Sequence, residues 1–77
     1  MRTINEFGTV RYYHDGKLHR EDGPAVIFPD GAIKWFKNGR LHREDGPAAI
    51  QVDGQIYYYI NGINHTEEEY KLIIFFK

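Results

Sequence analysis

A ten-residue phrase occurs twice in this 77-residue chain, at a spacing of 23 residues. Residues 16–25 read GKLHREDGPA, and residues 39–48 differ only in having Arg40 where the first copy has Lys17. We refer to these two stretches as the first phrase and the second phrase. A fixed period of this length is typical of repeat architectures, in which each unit buries its apolar side by stacking on a neighbour. The sequence therefore predicts a repeat protein.

The same period extends on both sides of the phrase and relates glycines, β-branched residues, aromatic residues and histidines. The aligned sets are Ile4, Ile27 and Ile50; Gly8, Gly31 and Gly54; Val10, Ile33 and Ile56; Tyr12, Trp35 and Tyr58; Tyr13, Phe36 and Tyr59; Gly16, Gly39 and Gly62; and His19, His42 and His65. The chain is thus a half unit, two full units and a last unit that changes character after His65.

Each period contains two apolar stretches around a turn sequence. In the middle of the chain the turn is Pro29-Asp30-Gly31, in which proline fixes φ, aspartate hydrogen-bonds its own turn and glycine takes positive φ. Asp53-Gly54 and Phe7-Gly8 stand at the equivalent positions. We predict a mainly β fold, an antiparallel meander of three repeated β-hairpins at about residues 2–14, 25–37 and 48–60, within one domain spanning 1–77.

Alternation along the strands separates two faces of the predicted sheet. Ile33 and Trp35 share one face with the Ile27 set, and this all-apolar face is the expected core. The opposite face is mixed and half-exposed, and the C-terminal segment can cover it. Its members are Arg11, Tyr13, Lys34, Phe36, Tyr57 and Tyr59.

The last twelve residues predict a helix. Thr66 and Glu69 have the spacing of a capping box, and acidic side chains favour a helix N-terminus. The helix is expected over about residues 67–76. Its apolar residues surround it almost completely, and one sheet face cannot cover them all. Either the helix lies deep in a groove or a second chain covers part of it, and we favour the second, a homodimer or other homo-oligomer. The apolar residues are Tyr70, Leu72, Ile73, Ile74, Phe75 and Phe76.

Residues 30–42, DGAIKWFKNGRLH, resemble the MORN repeat, and the phrase LHREDGPA resembles more closely a repeat variant of small bacteriophage and bacterial proteins. The likeness covers residues 4 to about 70. It implies an elongated antiparallel sheet that contacts proteins or small ligands and, in phage-type members, counteracts a host defence or modulates a host protein. The chain departs from MORN after His19 and His42, where that family continues with glycine, and this argues against the lipid-binding role proposed for MORN arrays.

Composition argues against several other classes. The 10 basic and 11 acidic residues are interleaved and give a net charge of −1, so no broad positive field favours nucleic-acid binding. The chain has no cysteine, no leader pattern and no apolar run long enough for a membrane span. A cytoplasmic protein is expected, in the host cytoplasm if it is phage-encoded.

Enzyme chemistry is not expected, and no catalytic residue is assigned. Serine and cysteine are absent, and the carboxylate pairs Glu21/Asp22 and Glu44/Asp45 recur identically, as a structural turn that ties its arginine would. The aligned histidines are expected about 9–10 Å apart, too far to share one zinc ion. No metal and no cofactor are predicted.

Two binding hypotheses remain. The first is binding of a protein partner through an aromatic face. The alternative explanation of this face is simple burial by the helix. The candidate residues for protein binding are Tyr13, Trp35, Phe36, Tyr57 and Tyr59. The second is sequestration of a small phosphorylated or nucleotide ligand between protomers. The alternative explanation is that the carboxylates of the turn neutralise its own arginines. The candidate residues for ligand binding are His19, Arg20, His42 and Arg43.

Overall fold

The turn sequences fix where the strands of this chain begin and end. In the computed structural model, which describes residues 1–77, Asp30 accepts a hydrogen bond from the Ala32 amide through Oδ1 at 2.9 Å. Gly31 has a φ of 97°, which a β-branched residue would not adopt. The Asp53 Oδ1 accepts from the Gln55 amide at 3.0 Å in the same way. These turns reverse the chain, as their sequences predict.

The strands are short and the helix comes last. In chain order the elements are β1 (Arg2–Ile4), β2 (Val10–His14), β3 (Lys17–Leu18), β4 (Val26–Ile27), β5 (Ile33–Lys34), β6 (Phe36–Lys37), β7 (Arg40–Leu41), β8 (Ala49–Ile50), β9 (Ile56–Ile60), β10 (Ile63–His65) and α1 (Glu67–Phe75). The predicted fold class is confirmed as a mainly antiparallel β-sheet of many strands with one C-terminal helix. The pairs β1–β2, β4–β5 and β8–β9 fall within the three predicted hairpin ranges.

The main sheet has eight strands, seven of them in the order β1-β2-β4-β5-β8-β9-β10, with β3 also paired to β2. Strands β6 and β7 form a separate two-stranded pair. Strands β3, β7 and β10 were not part of the sequence prediction. Each follows a turn in which the first residue has positive φ, namely Asp15, Asn38 and Asn61 at 51°, 51° and 49°. Positive φ at two successive residues is the geometry of a type I′ hairpin turn, so the chain folds back on itself at once.

The most deeply buried hydrophobic residues of the sheet are small, whereas the sequence predicted a core of large apolar side chains on the Ile27 face. Ala25 and Ala48 are 0% exposed, while Ile27 is only half-buried. Val26 and Ala49, on the opposite face from Ile27, are buried as well. The sheet is thin, so large aliphatic side chains on either side have only partial cover, whereas alanines between long neighbours are fully enclosed.

The helix begins at Glu67 and ends at Phe75, close to the predicted bounds. Its capping box is confirmed, because Thr66 Oγ1 accepts from the Glu69 amide at 3.1 Å and Glu69 Oε1 accepts from the Thr66 amide at 2.9 Å. Tyr70 is the residue of α1 that is buried, at 5% exposed. Its ring lies 4.6 Å from the ring of Tyr58 in β9.

The contact with Tyr58 decides which face the helix covers. Tyr58 points to the opposite face from its strand neighbours Tyr57 and Tyr59. The helix therefore does not cover the face of Tyr13, Phe36 and Tyr59, a choice that the sequence left open. The Tyr70 hydroxyl explains the choice, because it donates to the Arg43 carbonyl at 2.5 Å and accepts from the Gly46 amide at 3.2 Å. The second phrase supplies both partners.

Substitution of Tyr70 by phenylalanine should lower the free energy of unfolding by about 1–3 kcal/mol, because the Arg43 carbonyl and the Gly46 amide lose their shared partner. Urea denaturation followed by circular dichroism measures this loss. Tyr59→Phe is the matched control, since the Tyr59 hydroxyl forms no hydrogen bond within the chain, and it should change stability by less than about 0.5 kcal/mol. Equal effects of the two substitutions would show that the hydroxyl does not hold the helix.

Candidate functional site

The two arginines of the phrases lie flat on aromatic rings of the sheet. The Arg20 guanidinium carbon is 4.0 Å from the centroid of the Tyr12 ring, and that of Arg43 is 3.9 Å from the centroid of the Trp35 ring. A guanidinium at this distance is attracted by the negative face of the ring and shields it from water. Trp35 is therefore covered from above by the chain itself.

Each guanidinium is also held at its edges. The Nε of Arg43 donates to Asp45 Oδ1 at 2.9 Å, and its Nη1 donates to the Pro47 carbonyl at 3.1 Å. Arg20 makes the same two bonds, to Asp22 and to the Pro24 carbonyl, both at 3.2 Å. The predicted tie between the arginine and a carboxylate is confirmed, and a backbone carbonyl completes it.

Close approach to the arginine explains the glycine at position 8 of the phrase. A Cβ atom on Gly23 would lie 2.9 Å from the Arg20 guanidinium carbon, and one on Gly46 would lie 3.0 Å from that of Arg43. Neither glycine has positive φ. These glycines are thus required by the space that the arginine occupies, not by backbone conformation, and any side chain would push the guanidinium off its ring.

Two of the aligned histidines join each phrase to the next turn of the chain. The Asn38 amide donates to His19 Nδ1 at 3.0 Å, and the Asn61 amide donates to His42 Nδ1 at 2.9 Å. His42 Nε2 lies 2.8 Å from Glu44 Oε2, while His65, in β10, lies beside Glu69 of the helix. No three His, Asp or Glu side chains converge as a metal site would require.

The neighbours of His42 assign its protonation state. Because Nδ1 accepts from the Asn61 amide, Nδ1 carries no proton and Nε2 carries the one that is donated to Glu44. Burial, together with the nearby positive charges of Lys37 and Lys77, holds the pKa of His42 below its ordinary value of 6.5. The side chain is only 9% exposed. His42 is therefore a neutral hydrogen-bonding link at neutral pH.

A cleft of about 320 Å³ lies between the two phrases. It is lined by Arg20, Glu21, Trp35, Lys37, His42, Arg43, Glu44 and Asp45. Of the residues proposed to bind a phosphorylated ligand, Arg20, His42 and Arg43 line it and His19 does not. The Trp35 Nε1 is buried without a hydrogen-bond partner. Three carboxylates balance three cations around this cleft, and Lys77 pairs with Glu44 at its rim, so its walls present no excess of positive charge.

The residues proposed to bind a protein lie on different parts of the sheet. Tyr13 and Phe36 lie opposite Leu18 and Leu41 in their strand pairs, and all four are half-buried. Tyr59 lies opposite Asn64, and the Tyr57 hydroxyl donates to Gln55 Oε1 at 2.6 Å. Trp35 is separated from this set, since it lies beneath Arg43 on the face that carries the helix. The proposed aromatic set is thus divided between the two faces.

The helix carries an exposed apolar cluster that the sequence analysis did not propose as a contact surface. Leu72, Phe75 and Phe76 are 59%, 78% and 77% exposed, and their spacing of three and four residues places them on one side of α1. The rings of Phe75 and Phe76 meet edge to face, with centroids 5.0 Å apart. We call these three residues the α1 apolar patch. The sequence indicated that the helix is apolar on all sides. It did not indicate which side packs on the sheet.

Comparison of the chain with protein-family models, with curated proteins and with solved structures gives no match in any of the three. The one helix has nine residues, and no helix here is long and apolar enough to cross a bilayer.

The packing of Arg20 against Gly23 gives a test by double substitution. Gly23→Ala should lower the free energy of unfolding by about 1 kcal/mol, because the new methyl group displaces the guanidinium from Tyr12 and weakens its hydrogen bonds. In an Arg20→Ala background the same change should be neutral or stabilising by up to about 1 kcal/mol, since alanine restricts the unfolded chain. Chemical denaturation of the four proteins measures the coupling, and additive effects would contradict the packing.

The lowered pKa of His42 predicts how stability changes with pH. The unfolded chain takes up the proton near pH 6.5, whereas the folded chain takes it up only at lower pH, so the unfolded state binds more protons between these two values. The free energy of unfolding should therefore be highest above pH 6.5 and fall as pH decreases through this interval. Melting temperatures from pH 8 to pH 4.5 measure it.

His42→Asn keeps an acceptor near the Asn61 amide and removes the titration, so it should flatten this part of the pH profile. His14→Asn is the matched control, because the His14 side chain is 67% exposed. A profile that is unchanged by His42→Asn, or that is flattened equally by His14→Asn, would contradict the assignment.

Proposed function

We propose that this chain is a non-enzymatic module that binds another protein and modulates it, using the α1 apolar patch as its main contact surface. The observation that carries the proposal is the exposure of Leu72, Phe75 and Phe76, on a helix whose other side is fixed to the sheet by Tyr70. An apolar cluster presented on a rigid element is typical of a protein contact surface.

The attachment of the helix supports a preformed surface. The capping box holds the first turn, Tyr70 bonds to the second phrase, and Lys77 pairs with Glu44 beyond the last turn. A patch held at both ends loses little conformational freedom when a partner binds, which favours affinity. The half-buried set of Tyr13, Phe36 and Tyr59 lies on the opposite face of the sheet and is the secondary candidate surface.

The phosphorylated or nucleotide ligand has weaker support. Both guanidiniums that would hold phosphate already donate to an aspartate and to a carbonyl, and the cleft between them has as many carboxylates as cations. A phosphate would have to compete with Asp22 or Asp45 for the charge of the same guanidinium. The unpartnered Trp35 Nε1 is a single donor and favours no particular ligand class.

The recurring contacts also support a repeat architecture with a period of 23 residues, in which each hairpin stacks on the next. The bonds from the Asn38 amide to His19 and from the Asn61 amide to His42 are one such pair. Together with the resemblance of the phrase to that of small phage and bacterial proteins, this favours a MORN-like, cytoplasmic inhibitor of a host or defence factor as the form that the binding module takes.

The proposal is tested by affinity capture from bacterial lysate with quantitative mass spectrometry. The bait proteins are the unmodified chain, a Phe75→Ser/Phe76→Ser variant, and the control Glu68→Ser, whose side chain is exposed on the same helix. At least one protein should be enriched on the first and third baits and lost on the second. A thermal-shift panel of nucleotides should leave the melting temperature unchanged.

Circular dichroism must show that the variants keep the fold. A nucleotide that raises the melting temperature, together with no captured protein that depends on the α1 apolar patch, would contradict the proposal and favour the ligand alternative. A fourth bait, Tyr13→Ser/Phe36→Ser, tests the other face of the sheet. Loss of capture with this bait but not with the helix variant would move the contact surface to that face.

A further inference from the structure

One row of aliphatic side chains crosses the whole main sheet. The register of the five strand pairs places the following residues side by side, in order: Ile4, Val10, Ile27, Ile33, Ile50 and Ile56. Each member is β-branched, which favours a strand. The row begins on β1, an edge strand, and ends at Ile56 of β9, which lies before the residues of β9 that pair with β10 (Tyr58 to Ile60). Each end residue therefore has a neighbouring strand on one side only.

The exposure of the row changes at its ends. The four inner residues are half-buried, whereas Ile4 is 55% exposed and Ile56 is 44% exposed. The helix contacts β9 but leaves Ile56 uncovered. The two ends are thus apolar positions that differ from the inner ones in lacking a second strand.

The backbone at both ends is also free to pair. In the β8–β9 hairpin the Gln51 amide bonds to the Gln55 carbonyl at 2.8 Å, and hydrogen-bonded pairs alternate with non-bonded pairs along an antiparallel ladder. The next pair, Ile50 with Ile56, is therefore a non-bonded one, and the N–H and C=O of Ile56 point away from β8. The bond from the Asn5 amide to the Thr9 carbonyl at 3.1 Å fixes the same geometry for Ile4 against β2.

Two strand pairs within the sheet show how one hairpin joins the next. Between the hairpins, β2 pairs with β4 through Val10 with Ile27 and Arg11 with Val26, and β5 pairs with β8 through Ile33 with Ile50 and Lys34 with Ala49. In both junctions a long side chain lies beside a small or β-branched one. Ile56 and Tyr57 of β9 correspond to the first strand of this junction, and Ile4 and Thr3 of β1 correspond to the second.

We propose that copies of this chain associate head to tail, with β9 of one copy pairing antiparallel to β1 of the next, Ile56 against Ile4 and Tyr57 against Thr3. We assign a second copy to each open edge because the β9–β1 pair would have the same antiparallel direction and register as the β2–β4 and β5–β8 pairs. It would also place the same kinds of side chain opposite each other. Ile56 and Ile4 each supply one donor and one acceptor to the new ladder. Since the two edges differ, the contact is heterologous, and it builds rings or open chains instead of a symmetric dimer.

The test uses a charge on each edge. Ile4→Lys and Ile56→Lys each place a cation at an exposed position, where lysine opposes edge pairing without entering the core. The unmodified chain should show a mass above 9.1 kDa that rises with concentration in size-exclusion chromatography with light scattering. Each variant alone should have the monomer mass, because its only possible junction places the introduced lysine against the native residue of the other edge.

Mixing the two variants makes one junction without an introduced lysine possible. The Ile4→Lys copy keeps a native β9 edge and the Ile56→Lys copy keeps a native β1 edge, so the mixture forms one native junction and stops at two chains, near twice 9.1 kDa. A symmetric dimer through β1 would leave Ile56→Lys dimeric, and one through β9 would leave Ile4→Lys dimeric. Either of these results overturns the proposal.

Two controls keep the test decisive. Circular dichroism and melting curves establish that both lysine variants are folded. Phe75→Ser/Phe76→Ser should leave the mass of the unmodified chain unchanged, because the α1 apolar patch is not part of the edge. A monomeric unmodified chain at all concentrations would overturn the head-to-tail junction and leave the proposed binding of another protein untouched. A fall to monomer in the helix variant would also overturn the junction, and would show that a second copy contacts the α1 apolar patch.

Discussion

The stacking of an arginine on an aromatic ring is the interaction on which each phrase depends. Arg43 on Trp35, and Arg20 on Tyr12, fix one aspartate, one proline carbonyl and one glycine each. A guanidinium suits this role because it is flat, permanently charged and able to donate at its edges while its face contacts a ring. The arrangement also positions the helix, since Tyr70 bonds to the Arg43 carbonyl and the Gly46 amide.

This interaction also determines where function can lie. The charged residues of the phrase are those that most resemble a catalytic or phosphate-binding set, yet each arginine already donates to an aspartate and to a backbone carbonyl. The same holds for His42, whose Nδ1 already accepts a hydrogen bond from the Asn61 amide. Two exposed apolar surfaces are the α1 apolar patch and the ends of the aliphatic row. Both are suited to contacts with protein.

Local sequence predicted much of this fold, because its turns depend on neighbouring residues. Asp30 with Gly31, and Thr66 with Glu69, act within three positions and were predicted correctly.

The side of the sheet that the helix covers depends on Tyr70 meeting backbone groups 24 and 27 residues away, which no local pattern encodes. The core differs from the prediction in the size of its most buried residues. Apolar size suggested Ile27, but burial in so thin a sheet favours alanine between long neighbours. Gly23 and Gly46 have no positive φ, and space for an arginine is what requires them.

Nuclear magnetic resonance of the arginine side chains tests the central interaction most directly. A group that lies over the face of an aromatic ring is shielded by the ring current, so the δ-methylene and Nε–H protons of Arg20 and Arg43 should resonate upfield of those of Arg40, whose side chain is exposed. The shielding should be larger over Trp35 than over Tyr12. Arginine resonances of all three residues at the same positions, in a chain that circular dichroism shows to be folded, would contradict the account.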